Sequence, residues 1–281
     1  MATIKQLITD GENALPDSDS ARLDAELLLG VAIAKPRSWL YTWPDHIPAL
    51  PEQHLYLELI RRRQAGEPVA YMTGRKEFWD LQLKINHDVL IPRPDTELLV
   101  ETALAKLPED ESIRVADLGT GSGAIALALA SSRANWRVTA TDQSARALDL
   151  AQENAKILDI KNISFFQGSW LAPLSGQTFD AILSNPPYIE KNDPHLQRGD
   201  VRFEPVHALI SEENGLADIH HIISNSPSFL PPSGWLMLEH GYQQGEQVRQ
   251  LFASFSYSEI ETLRDLAGHE RITIGRKKDK G

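Results

Sequence analysis

Two short runs in this chain carry residues of the right type and spacing for chemistry. The first is the loop Asp117-Leu-Gly119-Thr120-Gly121-Ser122-Gly123. It follows the apolar strand pattern of residues 114–118 and precedes Ala124-Ile-Ala-Leu-Ala-Leu-Ala130, a strong helix former. Glycines at such a junction let the backbone turn tightly and come close to a ligand without Cβ clashes. Asp142 closes the next strand pattern, where a carboxylate can accept both ribose hydroxyls of a nucleoside cofactor. The spacing Gly119-x-Gly121-x-x-Ala124, with an acid about twenty residues on, also fits a dinucleotide fingerprint. The loop therefore narrows the ligand to a nucleoside cofactor and does not choose which.

The second run is Asn185-Pro186-Pro187-Tyr188, at the carboxyl end of the strand pattern 179–184, the end at which open α/β sheets bind ligands. Asn185 brings a carbonyl acceptor and an NH2 donor. Two prolines stiffen the turn and, having no N–H, leave its carbonyls free to accept. A planar R–NH2 group would meet two acceptors, the Asn185 side-chain oxygen and the Pro186 carbonyl, and would stack on Tyr188. That pair suits methylation of an amide or an exocyclic amine. Hydrogen bonds to both N–H groups raise the electron density of a weak amide nucleophile, and the pocket aims its lone pair at a methyl carbon on a sulfonium. Positioning of this kind lowers a barrier by several kcal/mol. No strong base is needed, because the proton becomes acidic once the methyl is transferred. No His is nominated as a base: His220 and His221 read as part of a helix, and His240 follows a buried strand. No His, Asp and Glu spacing suggests a metal.

The elements that must hold these runs alternate. From residue 113 onward, strands are expected near 113–118, 136–141, 162–166, 179–184, 234–240, 256–263 and 270–275. Helices are expected near 123–132, 144–157, 215–229 and 243–253. This is an α/β pattern with a mostly parallel seven-stranded sheet, and the last two strands are too closely joined for anything but an antiparallel hairpin. Upstream, helices are expected over 20–33, with Leu23, Leu27, Leu28 and Val31 as the apolar face, and over 51–65, with Leu55, Leu59 and Ile60. Arg61-Arg62-Arg63 reads as the solvated last turn of the latter. Alternation through Phe78, Leu81, Leu83 and Ile85 suggests a β-hairpin, and a further helix over 98–107 is capped by Asp95 or Thr96. The expected division is a helical domain over 1–66, a hairpin connector over 67–87 and the α/β domain over 88–281. The basic tail, Arg276 to Lys280, reads as frayed.

Composition sets limits. The chain has 281 residues and no Cys, so disulfides, thiolate metal sites and cysteine nucleophiles are excluded. No apolar run approaches the length of a membrane span, and a cytoplasmic location is expected. A net charge of −11 makes a broad grip on nucleic-acid phosphates a poor expectation.

Taken in order, Ile91-Pro-Arg-Pro-Asp-Thr-Glu97, the 117–123 loop, Asn185-Pro-Pro-Tyr188 and Arg264-Asp-Leu-Ala-Gly268 resemble the release factor glutamine methyltransferases, bacterial protein-(glutamine-N5) methyltransferases. The resemblance spans nearly the whole chain. It implies a Rossmann-like class I methyltransferase domain preceded by a small helical domain. It further implies S-adenosylmethionine as cofactor, and as substrate the glutamine in the Gly-Gly-Gln loop of class 1 peptide chain release factors. By position, it implies that Gly119 to Gly123, including Thr120 and Ser122, line the methionine end of the cofactor. Asp142 would hold the ribose, Trp170 would pack on the adenine, and Asn185 to Tyr188 would hold the glutamine amide, with Asn185 also near the cofactor. Ser169 stands where many relatives carry Asp, and Phe78 and Glu97 would border the substrate pocket. The helical domain would help dock the release factor, with no direct nucleic-acid binding and a monomeric enzyme expected. The rival reading is a nucleic-acid amino-methyltransferase, since adenine N6 or a guanine amine also presents a planar NH2. Weaker rivals are a non-catalytic binding module and a nicotinamide dehydrogenase.

Overall fold

In the computed structural model, which describes residues 2–197 and 199–279, the chain divides into two units. The first consists of Met1–Arg75 together with His195–Phe203. Its helices are α1 (Ile4–Asn13), α2 (Ala21–Ala32), α3 (Arg37–Thr42), α4 (Leu50–Gln64) and α5 (Val69–Thr73). Helix α1, absent from the expected elements although Ile4, Leu7 and Ile8 recur at helical spacing, starts with a capping box between Thr3 and Gln6. Its Ile4 and Leu7 pack with Leu28 and Leu29 of α2 and with Tyr56, Leu59 and Ile60 of α4. The buried face of α2 is thus rotated from the expected one, leaving Leu23 and Val31 exposed. Leu55 of α4 is exposed as well.

The three arginines closing α4 are also not uniformly solvated. Asp24, inside α2, is buried and needs partners. Arg63 supplies one through Nε at 2.8 Å and reaches Asp200 at 3.1 Å. Arg62 forms a two-pronged bond to Glu67. The span expected as a hairpin connector begins instead as helix: Val69–Thr73 makes a turn that Gly74 ends in a left-handed conformation, φ 68°. The hairpin proper is β1 (Arg75–Phe78) and β2 (Leu81–Lys84).

The second unit comprises Lys76–Pro194 and Glu204–Gly281. It runs through α6 (Glu97–Lys106), β3 (Arg114–Leu118), α7 (Ala124–Ser132), β4 (Arg137–Asp142), α8 (Ala145–Ile157), β5 (Ile163–Gln167) and β6 (Ala181–Ser184). After β6 come a single turn, α9 (Glu212–Gly215), then α10 (Ala217–Asn225), β7 (Trp235–Glu239), α11 (Gly245–Ser254), β8 (Tyr257–Arg264) and β9 (Glu270–Lys277). The sheet order is β5-β4-β3-β6-β7-β9-β8, parallel through β7 and antiparallel for β9 and β8. The seven expected strands are present. Two details differ: α10 ends at Asn225 and continues as a 3-10 turn, Ser226–Ser228, and Arg276 and Lys277, expected in a frayed tail, complete β9. Arg276 Nε donates to the Ser233 carbonyl, which holds that end of the strand in place. No helix among the described residues is long and apolar enough to cross a membrane.

Alternation along the strands builds the core. Ala116, Leu118, Ile182, Leu236 and Leu238 share one buried cluster with Ile219, Ile222 and Ile223 of α10 and Val248 and Phe252 of α11. The chain leaves β3 toward β4 and β5, then returns to the other side of β3 at β6, so the strand order reverses between β3 and β6. Register makes this reversal useful. Leu118 pairs with Thr141 on one side and Ser184 on the other, so the residues that follow, Gly119, Asp142 and Asn185, emerge level with one another.

The hairpin is fastened to this edge through one buried side chain. Asn154 of α8 accepts from the Lys84 amide at 2.7 Å and donates to the carbonyls of Lys84 and of Ser122, in the glycine loop, at 3.0 and 2.9 Å. Replacing it leaves three backbone groups without a partner. Asn154→Ala is expected to lower unfolding free energy by about 2–3 kcal/mol. A urea-denaturation midpoint unchanged from wild type would refute this role.

Candidate functional site

The level carboxyl ends of β3, β4 and β6 open onto a cavity of about 380 Å³, within the range of small-ligand sites. Gly119, Thr120, Gly121 and Ser122 line it from the glycine loop, and Asp142 lines it from the end of β4. Trp170, Asn185 and Pro187 line it as well. Gly123, Pro186 and Tyr188 do not. Gly123 sits behind the loop as the N-cap of α7. Pro186 is buried in the turn.

The loop backbone explains its glycines. Gly119 has φ 72°, and a Cβ there would lie 3.0 Å from the Trp170 ring. Gly121 has φ 56°, and a Cβ there would meet nothing within 4 Å, so this residue faces open space. The amides of Gly119 and Thr120 both donate to the Thr141 carbonyl, folding the loop back over β4. The Asp142 carboxylate accepts from the Gly121 amide and from the Ser144 amide, both at 2.9 Å. A carboxylate has about four lone-pair sites, so two oxygens with one donor each retain acceptor capacity toward the cavity. Trp170 is held by its own carbonyl, which accepts from the Thr141 hydroxyl at 2.9 Å. Ser169, where Asp is expected in many relatives, lines the cavity beside it.

Around Asn185 the side chains form a relay. Its Nδ2 donates to Thr96 Oγ1 at 3.1 Å. The Tyr188 hydroxyl donates to Glu239 Oε1 at 3.2 Å, and the Tyr188 ring packs against the apolar cluster of α10 and α11. Gln244 donates to the Tyr188 carbonyl at 3.1 Å. The turn after β6 is therefore anchored at both ends into the protein. Glu239, at the end of β7, is buried, and burial pushes its carboxyl up to about 7, against hydrogen bonds from Thr96 and Tyr188 and the charge of Arg271. Burial likewise pushes Asp117, at the end of β3, up to about 7, while hydrogen bonds from Thr120 and the Ala126 backbone pull it down. The Thr120 hydroxyl donates to Asp117 Oδ2 at 2.6 Å.

Phe78 and Glu97, expected at the substrate pocket, lie elsewhere. Phe78 is buried, and Glu97 accepts from the Trp79 amide at 2.9 Å, tying the hairpin to α6. Thr96 is the N-cap residue of α6 by position, as expected, but it also ends a 3-10 turn, Pro94–Thr96, and its side chain makes no capping bond. Reading the sequence gives it no site role, although it stands in the quoted run 91–97. Arg93 from the same run also lines the cavity and is held to buried Glu204 at 2.5 Å. His207 and Ile210 line it from a stretch of short 3-10 turns with neither helix nor strand periodicity, so no local signal marks them. Among the described residues no group of three acidic or His side chains is arranged to hold a metal.

Comparison with known proteins agrees with this arrangement. Residues 94–203 match the methyltransferase small domain and residues 6–74 the PrmC N-terminal domain. The release factor glutamine methyltransferase of Salmonella typhimurium is 52% identical over 264 residues, covering 94% of this chain and 95% of its own. That of Vibrio cholerae is 54% identical over 262 residues, covering 93% of this chain and 91% of its own. Among solved structures, a methyltransferase from Pyrococcus furiosus, 17% identical, has a TM-score of 0.55 over 78% of this chain and 98% of that one, a likeness of fold.

The buried Asp117 gives the site a pH signature. Its carboxyl holds a proton more tightly folded than unfolded, where the ordinary value is 3.8. Its contribution to stability is thus fully present below that value and is lost as pH rises toward 7. Asp117→Asn, which cannot ionise, should melt higher than wild type at pH 8, with the gap narrowing as pH falls from 7 toward 4. A gap that stays constant across that window in thermal melts would refute the assignment.

Proposed function

The chain belongs to the release factor glutamine methyltransferases, and on that premise we propose that it methylates the side-chain amide nitrogen of the glutamine in the Gly-Gly-Gln loop of class 1 peptide chain release factors, using S-adenosylmethionine. The observation that carries this reading is the shared cavity. The glycine loop with Asp142 and the Asn185 turn, far apart in sequence, open onto the same space.

The residues present suit the cofactor. Gly121 leaves open space where any other residue would place a Cβ. Asp142 keeps acceptor capacity for a ribose diol, Trp170 offers a flat face for the adenine, and the loop from Gly119 to Gly123 would hold the methionine end. S-adenosylmethionine supplies an electrophilic methyl on a sulfonium. Everything else falls to the chain. Asn185 Oδ1 accepts from one N–H bond of the substrate amide and the Pro186 carbonyl, which the substrate reaches only past the cavity-lining Asn185 and Pro187, accepts from the other; together they fix the amide plane and raise the electron density on nitrogen. Pro187 walls that position, and Tyr188, tethered to Glu239, keeps the turn from opening. Holding the two reactants in line is worth several kcal/mol, on the order of 7–11 at best. The proton leaves to water after transfer, so no side chain need serve as a base. In this reading the helical unit docks the release factor.

The test is mass spectrometry of a recombinant class 1 release factor incubated with the protein and S-adenosylmethionine. One added methyl on the Gly-Gly-Gln glutamine is expected. Asn185→Ala should reduce transfer by at least about 100-fold, on the scale of losing one oriented hydrogen-bonding group in a reacting site, while cofactor binding by calorimetry largely survives. Normal turnover by that variant overturns the role of Asn185. No transfer by wild type with cofactor bound overturns the substrate assignment and directs the same assay to RNA and DNA.

A further inference from the structure

Pro186 and Pro187 have no N–H, so the middle of the Asn185–Tyr188 turn cannot tie itself to the protein with donors of its own. Their fixed φ angles make the turn stiff instead, and a stiff turn is placed as a body by what holds its ends. Beyond Tyr188 the chain is pinned at once. The Ile189 amide donates to the Leu209 carbonyl at 2.9 Å, and the Ser211 amide donates to the Ile189 carbonyl at 3.0 Å. Ile210, between those two partners, lines the cavity. Then Glu213, Asn214 and Gly215, within α9, take left-handed backbone in succession, φ 54°, 58° and 80°. Two of the three are not glycine, and residues with a Cβ rarely adopt that conformation. Gly215 passes so close to the turn that a Cβ added there would collide with the Tyr188 carbonyl.

One side chain spans that contact. Gln244 Nε2 donates to the Tyr188 carbonyl at 3.1 Å and to the Asn214 carbonyl at 3.2 Å, and Gln244 Oε1 accepts from the Gly241 amide at 2.9 Å. These partners leave no choice of orientation. Two are carbonyls, which only accept, and the third is an N–H, which only donates, so a flipped carboxamide would satisfy none of them. Gly241 lies in the turn between β7 and α11, so the scaffold sets Gln244 and Gln244 sets the functional turn. We propose that Gln244 is a positioning residue, a clamp that joins the end of the Asn-Pro-Pro-Tyr turn to the left-handed run 213–215 and so holds the Pro186 carbonyl and Asn185 where the substrate amide meets them. The left-handed run fits this use. Backbone held outside its favoured region persists only when its surroundings fix it, and Gln244 bonds to the middle residue of the run. This inference rests on the roles of Asn185 and Pro186 proposed above.

Two variants separate placement from mere packing. Gln244→Glu keeps the shape and the acceptor for Gly241 but turns an oxygen toward the two carbonyls, and Gln244→Met keeps the length without the hydrogen bonds. In the release factor assay, Gln244→Met should lower kcat about tenfold, the order of a lost net hydrogen bond. Gln244→Glu should lower it further, because an acceptor then faces two acceptors. The cofactor Kd should stay within about twofold of wild type in both. A packing role predicts the opposite order, with the isosteric Gln244→Glu keeping its kcat, and that result overturns the proposal. An unchanged kcat in both variants overturns it too, as does a loss of kcat matched by an equal loss of cofactor affinity. A second readout needs no turnover. In hydrogen exchange of the free protein followed by NMR, the Ile189 and Ser211 amides should exchange about tenfold faster in Gln244→Glu, while the amides of β6 keep their wild-type rates. Unchanged rates at Ile189 and Ser211 overturn the proposal even if wild type fails to methylate the release factor, which by itself would overturn only the substrate assignment.

Discussion

The site depends on one geometric constraint, the common level of three strand ends. Leu118 is paired with Thr141 and with Ser184, and the Ser184 hydroxyl donates to the Leu118 carbonyl at 2.6 Å, fastening β6 to β3 at the last residue before both functional turns. Hydrogen bonds between parallel strands allow register changes only in steps of two residues if each side chain is to keep its face. A slip of one such step would displace the Asn185 turn by roughly 6–7 Å relative to the glycine loop, and the cavity would lose one of its walls. Burial on both faces of β3 and β6 makes such a slip costly, because Ala116, Leu118 and Ile182 would leave the cluster they share with α10 and α11.

Around this level edge the protein places acidic groups in dry surroundings. Asp117, the last residue but one of β3, and Glu239, at the end of β7, lie on inner strands separated by β6, and both are essentially inaccessible to water. A buried carboxyl is tolerated when hydroxyls and backbone amides satisfy it, and here the hydroxyls belong to residues of the functional turns. Thr120 donates to one oxygen of Asp117 within the glycine loop, and Tyr188 of the Asn-Pro-Pro-Tyr turn donates to one oxygen of Glu239, while the other oxygen of each has no hydrogen-bond partner among the described residues. The burial that raises these groups also stiffens the loops that contact ligands. Opening either turn would leave a carboxyl in an apolar core without donors.

Much of this was legible from composition and period. The seven strands fall close to where alternating apolar runs place them, and Asp142 and Asn185 are recognisable as strand-end residues because each follows an apolar run and precedes a helix former or a proline pair. Legibility fails where a residue's neighbours come from elsewhere in the chain. Leu23, Val31 and Leu55 fit an apolar stripe yet are exposed, because the faces that pack are set by α1 and by Tyr56 rather than by the periodicity of each helix alone. Arg63 reads as a solvated terminal charge, but the buried Asp24 of another helix draws it inward. His207 and Ile210 reach the cavity from a segment of short 3-10 turns, whose conformation follows no repeating pattern that a sequence window could reveal.

The sequence by itself determined the chemistry class and the scaffold. Glycines that accept left-handed backbone, an acid at the next strand end and a rigid Asn-Pro-Pro-Tyr turn are local properties, encoded by residues adjacent in the chain. Only the tertiary structure decided which of those residues touch the ligand space and which way they point. It turns Tyr188 inward to Glu239 and brings Thr96 from the far side of the sequence to the amide of Asn185. It also places Phe78 and Glu97 in structural contacts away from the cavity. The physical reason is that orientation comes from hydrogen-bond partners and exclusion of water, and both depend on residues that meet only when the sheet closes.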